Sequence, residues 1–78
     1  MKLWLISQQT NTEFDWYDSA VVAAETEAEA RETHPEGPTA KWVLKSWAAS
    51  PVDVDVVYIG EAAENVKKGV VLFSFNAD

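Results

Sequence analysis

The chain has 78 residues, a formal net charge of −7 and no cysteine. This length predicts a single domain over residues 1–78, and the lack of cysteine excludes the disulfides that small secreted domains need, so we expect a reducing cytoplasm. The negative charge repels phosphates and anionic lipids, which disfavours direct binding of nucleic acid or anionic membranes and favours a basic protein partner, so we expect neither nucleic acid nor a membrane as a direct partner. No signal-peptide pattern and no run approaching 18 apolar residues is found, so we expect neither a secretory leader nor a membrane span.

The first third of the chain predicts a β-hairpin. Residues 2–8 form a short apolar run with bulky side chains on both faces, which favours a central strand buried on both sides. Residues 9–12 are polar and predict a turn. Residues 14–23 begin with aromatic residues and continue through alanine and valine, which predicts a second strand paired with the first.

A short helix is predicted next. Thr26 followed by Glu29 fits a capping box, in which the threonine hydroxyl accepts from the glutamate amide and the glutamate carboxylate accepts from the threonine amide. The helix is expected to run to about Thr33, where a proline and a glycine follow. Ala28, Ala30 or both must then face inward, and such small side chains let a helix lie close to a sheet.

The second half predicts further strands. Residues 41–47 alternate weakly and are interpreted as a possible strand, residues 52–59 alternate well, and residues 70–75 are strongly β-prone. Residues 60–68 connect the last two strands and have room for a helical turn. The expected fold class is therefore α+β, a small, mostly antiparallel sheet of about four to five strands with one short α-helix, in the order β-β-α-β-β-β.

The charge is concentrated in one segment. Residues 13–36 hold eight carboxylates against Arg31, which equals the net charge of the whole chain. One interpretation is a solvated face that keeps a small domain soluble, and the other is an electrostatic docking surface. The candidate partner-binding residues are Asp15, Asp18, Glu25, Glu29, Glu32 and Glu36.

The spacing within this segment favours docking. Glu25, Glu29 and Glu32 follow the i, i+4, i+7 spacing of one helix face, where like charges repel by a few tenths of a kcal/mol per pair. Lysines could have been interleaved at these positions without structural cost. A set of uncompensated acids therefore favours the docking interpretation.

No motif for catalysis, a cofactor or a metal is present in the sequence. His34 is the only histidine, and at the end of a helix it is expected to bond a terminal carbonyl or to lie near the negative end of the helix dipole. Asp53 and Asp55 share a strand face, but a hard cation needs about six or more oxygen ligands from a shaped loop. We expect no enzyme, no cofactor and no metal site; an enzyme would lose activity on substitution of His34 alone.

The tryptophans have two interpretations. Trp4 is expected in the core, whereas Trp16, Trp42 and Trp47 lie in less regular segments and serve either as core or as exposed binding residues.

Most of the chain resembles a group of small acidic proteins of bacteriophages and prophages. The resemblance is carried by residues 17–24, by Ala30-Arg31 and His34-Pro35, and by residues 56–62, 69–71 and 74–77. Some proteins of that kind are anti-CRISPR inhibitors, several of which mimic the charge of DNA. The resemblance implies a monomeric, non-enzymatic inhibitor in the host cytoplasm, whose carboxylates occupy phosphate positions on a Cascade or Cas effector and exclude target DNA. The alternative is a phage accessory or assembly protein that binds another phage or host protein through its sheet edge or aromatic residues.

Overall fold

The described residues form one four-stranded antiparallel sheet and one short α-helix. The computed structural model describes residues 1–9, 16–40, 42 and 46–76. Its elements are β1 (Lys2–Ser7), β2 (Trp16–Ala24), α1 (Glu27–Arg31), a 3-10 turn (Pro51–Asp53), β3 (Asp55–Glu61) and β4 (Gly69–Asn76). The strand order is β3-β1-β2-β4, with every neighbouring pair antiparallel. The expected α+β class and the antiparallel sheet are confirmed.

The central strand is buried on one face only. β1 pairs with β2 as the predicted hairpin and with β3 on its other side. Trp4 and Ile6 are buried, but Leu5, which points to the opposite face, is 36% exposed. The prediction of burial on both sides is therefore wrong, because the single five-residue helix packs against one face of the sheet.

The helix begins as the sequence predicts. The Thr26 hydroxyl accepts from the Glu29 amide at 3.2 Å. The Glu29 carboxylate reaches one residue further back than expected and accepts from the Glu25 amide at 3.0 Å. The helix ends at Arg31, with Ala30 buried and Ala28 exposed. Five residues cannot sustain a helix alone, so packing and caps must stabilise it.

The chain between the helix and β3 differs from the prediction. Within the possible strand at 41–47, residues 41 and 43–45 lie outside the described residues, and Trp42 and Ser46 lie in turns. The strand expected from residue 52 begins only at Asp55, since Pro51 starts a 3-10 turn in which the Val54 amide donates to the Pro51 carbonyl at 3.1 Å. The described residues thus form four strands.

The core lies between the sheet and the segment that contains α1. Its largest fully buried side chains are Trp47, Ile6, Val22 and Val54. Alanines on the facing surfaces allow close approach, and the buried ones in this cluster are Ala20, Ala24, Ala30 and Ala48. Trp4 and Trp47 are core residues, Trp42 packs half-buried against the core, and Trp16 is half-buried. In the part of the chain that the structure describes, no helix is long and apolar enough to cross a membrane.

Candidate partner-binding surface

The predicted acidic residues are distributed along the sheet. Glu25 follows β2 directly, Glu29 lies on α1, and Glu32 caps its C-terminus. The chain then runs back along the sheet, because the Ser46 hydroxyl donates to the Glu36 carboxylate at 2.7 Å and the Ser46 carbonyl accepts from the Tyr17 amide at 2.6 Å. Glu36 therefore lies near the first residues of β2, whereas Glu25 lies beyond its last residue.

The two predicted aspartates have different outcomes. Asp15 lies outside the described residues. Asp18 lies on β2, half-buried, and accepts from the Ser19 hydroxyl at 3.3 Å. Six residues of strand separate Asp18 from Ala24, which places it about 20 Å along the strand from the Glu25 end. Asp18 therefore belongs to the Glu36 end of the segment and does not join a cluster with Glu25 and Glu29.

Two of the glutamates are paired with cations. The Lys68 ammonium lies 3.0 Å from the Glu29 carboxylate, and the N-terminal ammonium lies 3.8 Å from that of Glu25. The hydrogen bond from Lys68 is the main cause that lowers the pKa of Glu29, assisted by the Glu25 amide. Among the described residues, no cation lies within ion-pair distance of Glu32 or Glu36. Asp18 likewise has no ion-pair partner among the described residues, so Asp18, Glu32 and Glu36 are less compensated by cations than Glu25 and Glu29.

A groove lies between the helix-to-turn segment and β4. Its inner part is an open cavity of about 570 Å³, bounded by Glu32, His34 and Trp42 on one side and by Val70 on the other. Its outer part, of about 640 Å³, continues along β4 to Phe73. Sequence reasoning missed this groove, and the available signal was the uncharged stretch at 69–76.

His34 lines the inner part of the groove, and its side chain is buried and held by packing and one hydrogen bond. It is 3% exposed, its Nδ1 accepts from the Glu36 amide at 3.0 Å, and its ring meets that of Trp42 edge-on at 5.3 Å. Of the two expected roles of His34, the bond to a terminal carbonyl is not formed among the described residues, because Nδ1 accepts and Nε2 has no acceptor. Its Nε2 has no hydrogen-bond partner among the described residues. Burial lowers the pKa of His34, and the Glu36 carboxylate opposes part of that effect.

The stability of the protein should fall when His34 becomes protonated. Since the folded-state pKa lies below the ordinary value of 6.5, the unfolded chain binds more protons, and the free energy of unfolding should decrease as the pH falls below about 6.5. Protonation of Nδ1 would also remove the bond from the Glu36 amide. Urea unfolding between pH 7 and pH 5 measures this decrease, and the range stays above the ordinary carboxylate pKa values of about 4.

The matched control for this measurement is His34→Gln. Because the chain has no other histidine, this variant should show a flat profile over the same range. An equal slope in the variant and the wild type would contradict the assignment to His34.

The sheet face opposite the helix carries an apolar row. Val57 on β3, Leu5 on β1, Val21 on β2 and Leu72 on β4 stand opposite one another in register. Leu72 is 59% exposed and Val57 is 54% exposed. The neighbouring row is polar and consists of Asp55, Ser7, Ser19 and Ser74. We call Val57, Leu5, Val21 and Leu72 the apolar row. Like the groove, this row was missed by sequence reasoning.

The described residues show no arrangement typical of a metal site. Within the described ranges, no group of three or more His, Cys, Asp or Glu side chains is placed to hold a metal ion.

Comparison with known proteins gives no match to a family model, a curated protein or a solved structure. The functional interpretation therefore depends on the geometry of the described surface.

Proposed function

We propose that this protein is a non-enzymatic binding protein whose acidic segment occupies a basic surface of a nucleic-acid-binding protein. The observation that carries the proposal is the path of residues 25–36 back along the sheet. It spreads Glu25, Glu29, Glu32 and Glu36 between the two ends of β2 and does not collect them at a single point.

The density of charge along this path supports competition with a nucleic-acid strand. With Asp18, five carboxylates lie along about 20 Å of strand, which is one carboxylate per ~5 Å. A single DNA strand carries one phosphate per about 3.4 Å. The ion pairs at Glu25 and Glu29 reduce the net value, so the charge matches one phosphate strand better than a duplex.

More specifically, we propose that the protein is encoded by a phage and inhibits a host CRISPR effector. An effector that binds DNA offers a channel lined with lysine and arginine. Carboxylates in that channel would exclude target DNA by competition, with the inhibitor acting as a monomer. This more specific proposal is supported by the resemblance of residues 17–24, 56–62 and 74–77 to phage proteins and by the negative charge of residues 13–36.

A charge-reversal variant tests the proposal. Glu25, Glu32 and Glu36 are exposed, and replacing all three with lysine makes these positions positive. Glu29 is kept, because its carboxylate accepts from the Glu25 amide and pairs with Lys68. We expect tagged wild-type protein to capture a basic nucleic-acid-binding complex from host lysate at low salt and to release it at high salt, since salt screens exposed charges. The variant should capture none, and only the wild type should displace labelled DNA from the purified complex.

The control is a second triple lysine variant at Asp53, Asp55 and Glu64. These residues are also exposed, lie outside residues 25–36 and produce the same change in net charge. Circular dichroism should show both variants folded before their capture is compared. Equal capture by a folded Glu25/Glu32/Glu36 variant would overturn the proposal, and equal losses in both variants would reduce it to an effect of net charge.

The apolar row favours the second candidate function, a phage accessory or assembly protein that binds another phage or host protein. Exposed leucine and valine on one sheet face offer a dry contact that salt does not weaken. Capture that is insensitive to salt and is lost in Leu5→Lys would support this function over the first.

A further inference from the structure

Among the described residues, β4 is an edge strand, and no other strand pairs with its outer side. β4 is eight residues long, contains no charged residue and lies at the end of the sheet beside β2. Residues 71–76 are all exposed. No hydrogen bond joins the outward backbone groups of β4 to another described residue. Such a row of unpaired amides and carbonyls is a template for an additional strand.

The opposite edge of the sheet is built differently. β3 carries Asp55 at its start and Glu61 at its end, and its pairing with β1 is interrupted by a register shift next to Tyr58. Charged ends and irregular pairing are the usual devices that block edge-to-edge association. β4 also pairs irregularly with β2, but it has no charge to block its open side.

The outer groove follows this free edge. One wall is β4 from Gly69 to Phe73, and the other is the turn that contains Pro35 and Pro38. Proline has no amide proton, so these two residues do not compete as backbone donors for the edge.

The charged residues around the groove favour a basic partner over a second copy of this acidic chain. Glu36 lines the outer part and Glu32 the inner part, whereas Lys68, the cation that lines both, is held by Glu29 at 3.0 Å. A second copy of this chain would bring its own net charge of −7 against these carboxylates. A basic segment would be attracted to them.

We propose that the free edge of β4 binds an extended segment of a basic partner by strand addition. The segment would alternate apolar and basic residues, with its backbone paired to β4 and its basic side chains near Glu32 and Glu36. This inference rests on the proposed function, because it assigns the position at which the basic partner is bound.

An eight-residue peptide of alternating valine and lysine, labelled for fluorescence anisotropy, is the probe. We expect it to bind the wild-type protein, to bind less tightly as salt is raised, and to slow hydrogen exchange in β4 but not in β3. A peptide of the same sequence that is N-methylated at alternate residues cannot donate along one edge and should lose binding. An acidic peptide of alternating valine and glutamate should not bind.

Matched variants locate the site on one edge. Leu72→Lys and Val57→Lys change two exposed residues of the apolar row, one on each edge strand. Leu72→Lys should weaken peptide binding about tenfold or more, which corresponds to about 1.4 kcal/mol, whereas Val57→Lys should change it less than about twofold.

Three outcomes would overturn the inference. The first is that the basic peptide does not bind, and the second is that it binds equally well when its backbone is methylated. The third is a dimer in analytical ultracentrifugation that Leu72→Lys dissociates, because a second copy would then occupy the edge of β4. If the lysate experiment succeeds while β4 is not protected, strand addition fails and the proposed function stands. If β4 is protected by the peptide while the Glu25/Glu32/Glu36 variant still captures the partner, the proposed function fails instead.

Discussion

Replacing Ile6 with alanine should lower the free energy of unfolding by about 2–5 kcal/mol, the cost of removing a large aliphatic side chain from a packed core. Ile6 has no exposed surface and lies on the central strand, between partners on β2 and β3. A domain of this length is stabilised by only about 4–12 kcal/mol. The substitution therefore removes a large share of the total stability, and urea unfolding followed by circular dichroism measures it.

Leu5→Ala is the matched control for this prediction. Leu5 precedes Ile6 on the same strand, points to the opposite face and is 36% exposed. Its replacement should cost about 1 kcal/mol, the range of strand propensity at partly exposed positions. Equal losses in the two variants would show that both faces of β1 are buried and would contradict the one-sided core.

Replacing Trp47 with alanine should cost about 3–5 kcal/mol, the range for aromatic truncation in a core. Trp47 is 1% exposed and is the largest fully buried side chain of the described residues. Since its indole Nε1 has no hydrogen-bond partner among the described residues, the loss comes from packing alone. Urea unfolding followed by circular dichroism avoids the loss of fluorescence that the substitution itself causes.

Two further variants make the Trp47 prediction decisive. Trp42→Ala removes a half-buried tryptophan from the same loop region and should cost less, about 1–2 kcal/mol, including the edge-on contact with His34. Trp47→Phe keeps an aromatic ring in the core and should still fold if Trp47→Ala does not. A larger loss in Trp42→Ala than in Trp47→Ala would contradict the assignment of Trp47 to the core.

Features that depend on neighbouring residues were predicted well. The β1–β2 hairpin was predicted because both strands are apolar runs separated by one polar stretch. The start of α1 was predicted because Thr26 and Glu29 are three residues apart and bond within one turn. β4 was predicted because branched and aromatic residues occupy most of it.

Features that depend on distant residues were missed. Lys68 is 39 residues from Glu29 in the sequence, yet it neutralises that carboxylate in the fold. One local feature was missed as well: the alternation at 52–59 indicated one continuous strand, but Pro51 and the hydrogen bond from the Val54 amide convert its start into a 3-10 turn. The bulky run of β1 indicated two buried faces because an apolar pattern does not reveal how much chain is available to cover them.

By itself, the sequence determined the α+β class, the antiparallel hairpin, the capped helix and an acidic segment, since each depends on side-chain periodicity or on bonds between residues a few positions apart. Only the tertiary structure decided that β4 pairs with β2 and not with its neighbour in sequence, β3. This pairing places β3 and β4 at opposite edges of the sheet. Among the described residues, it leaves the outer edge of β4 without a partner strand, beside the carboxylates of Glu32 and Glu36. The sequence alone could not decide this, because strand order depends on how the whole sheet packs and not on any local pattern.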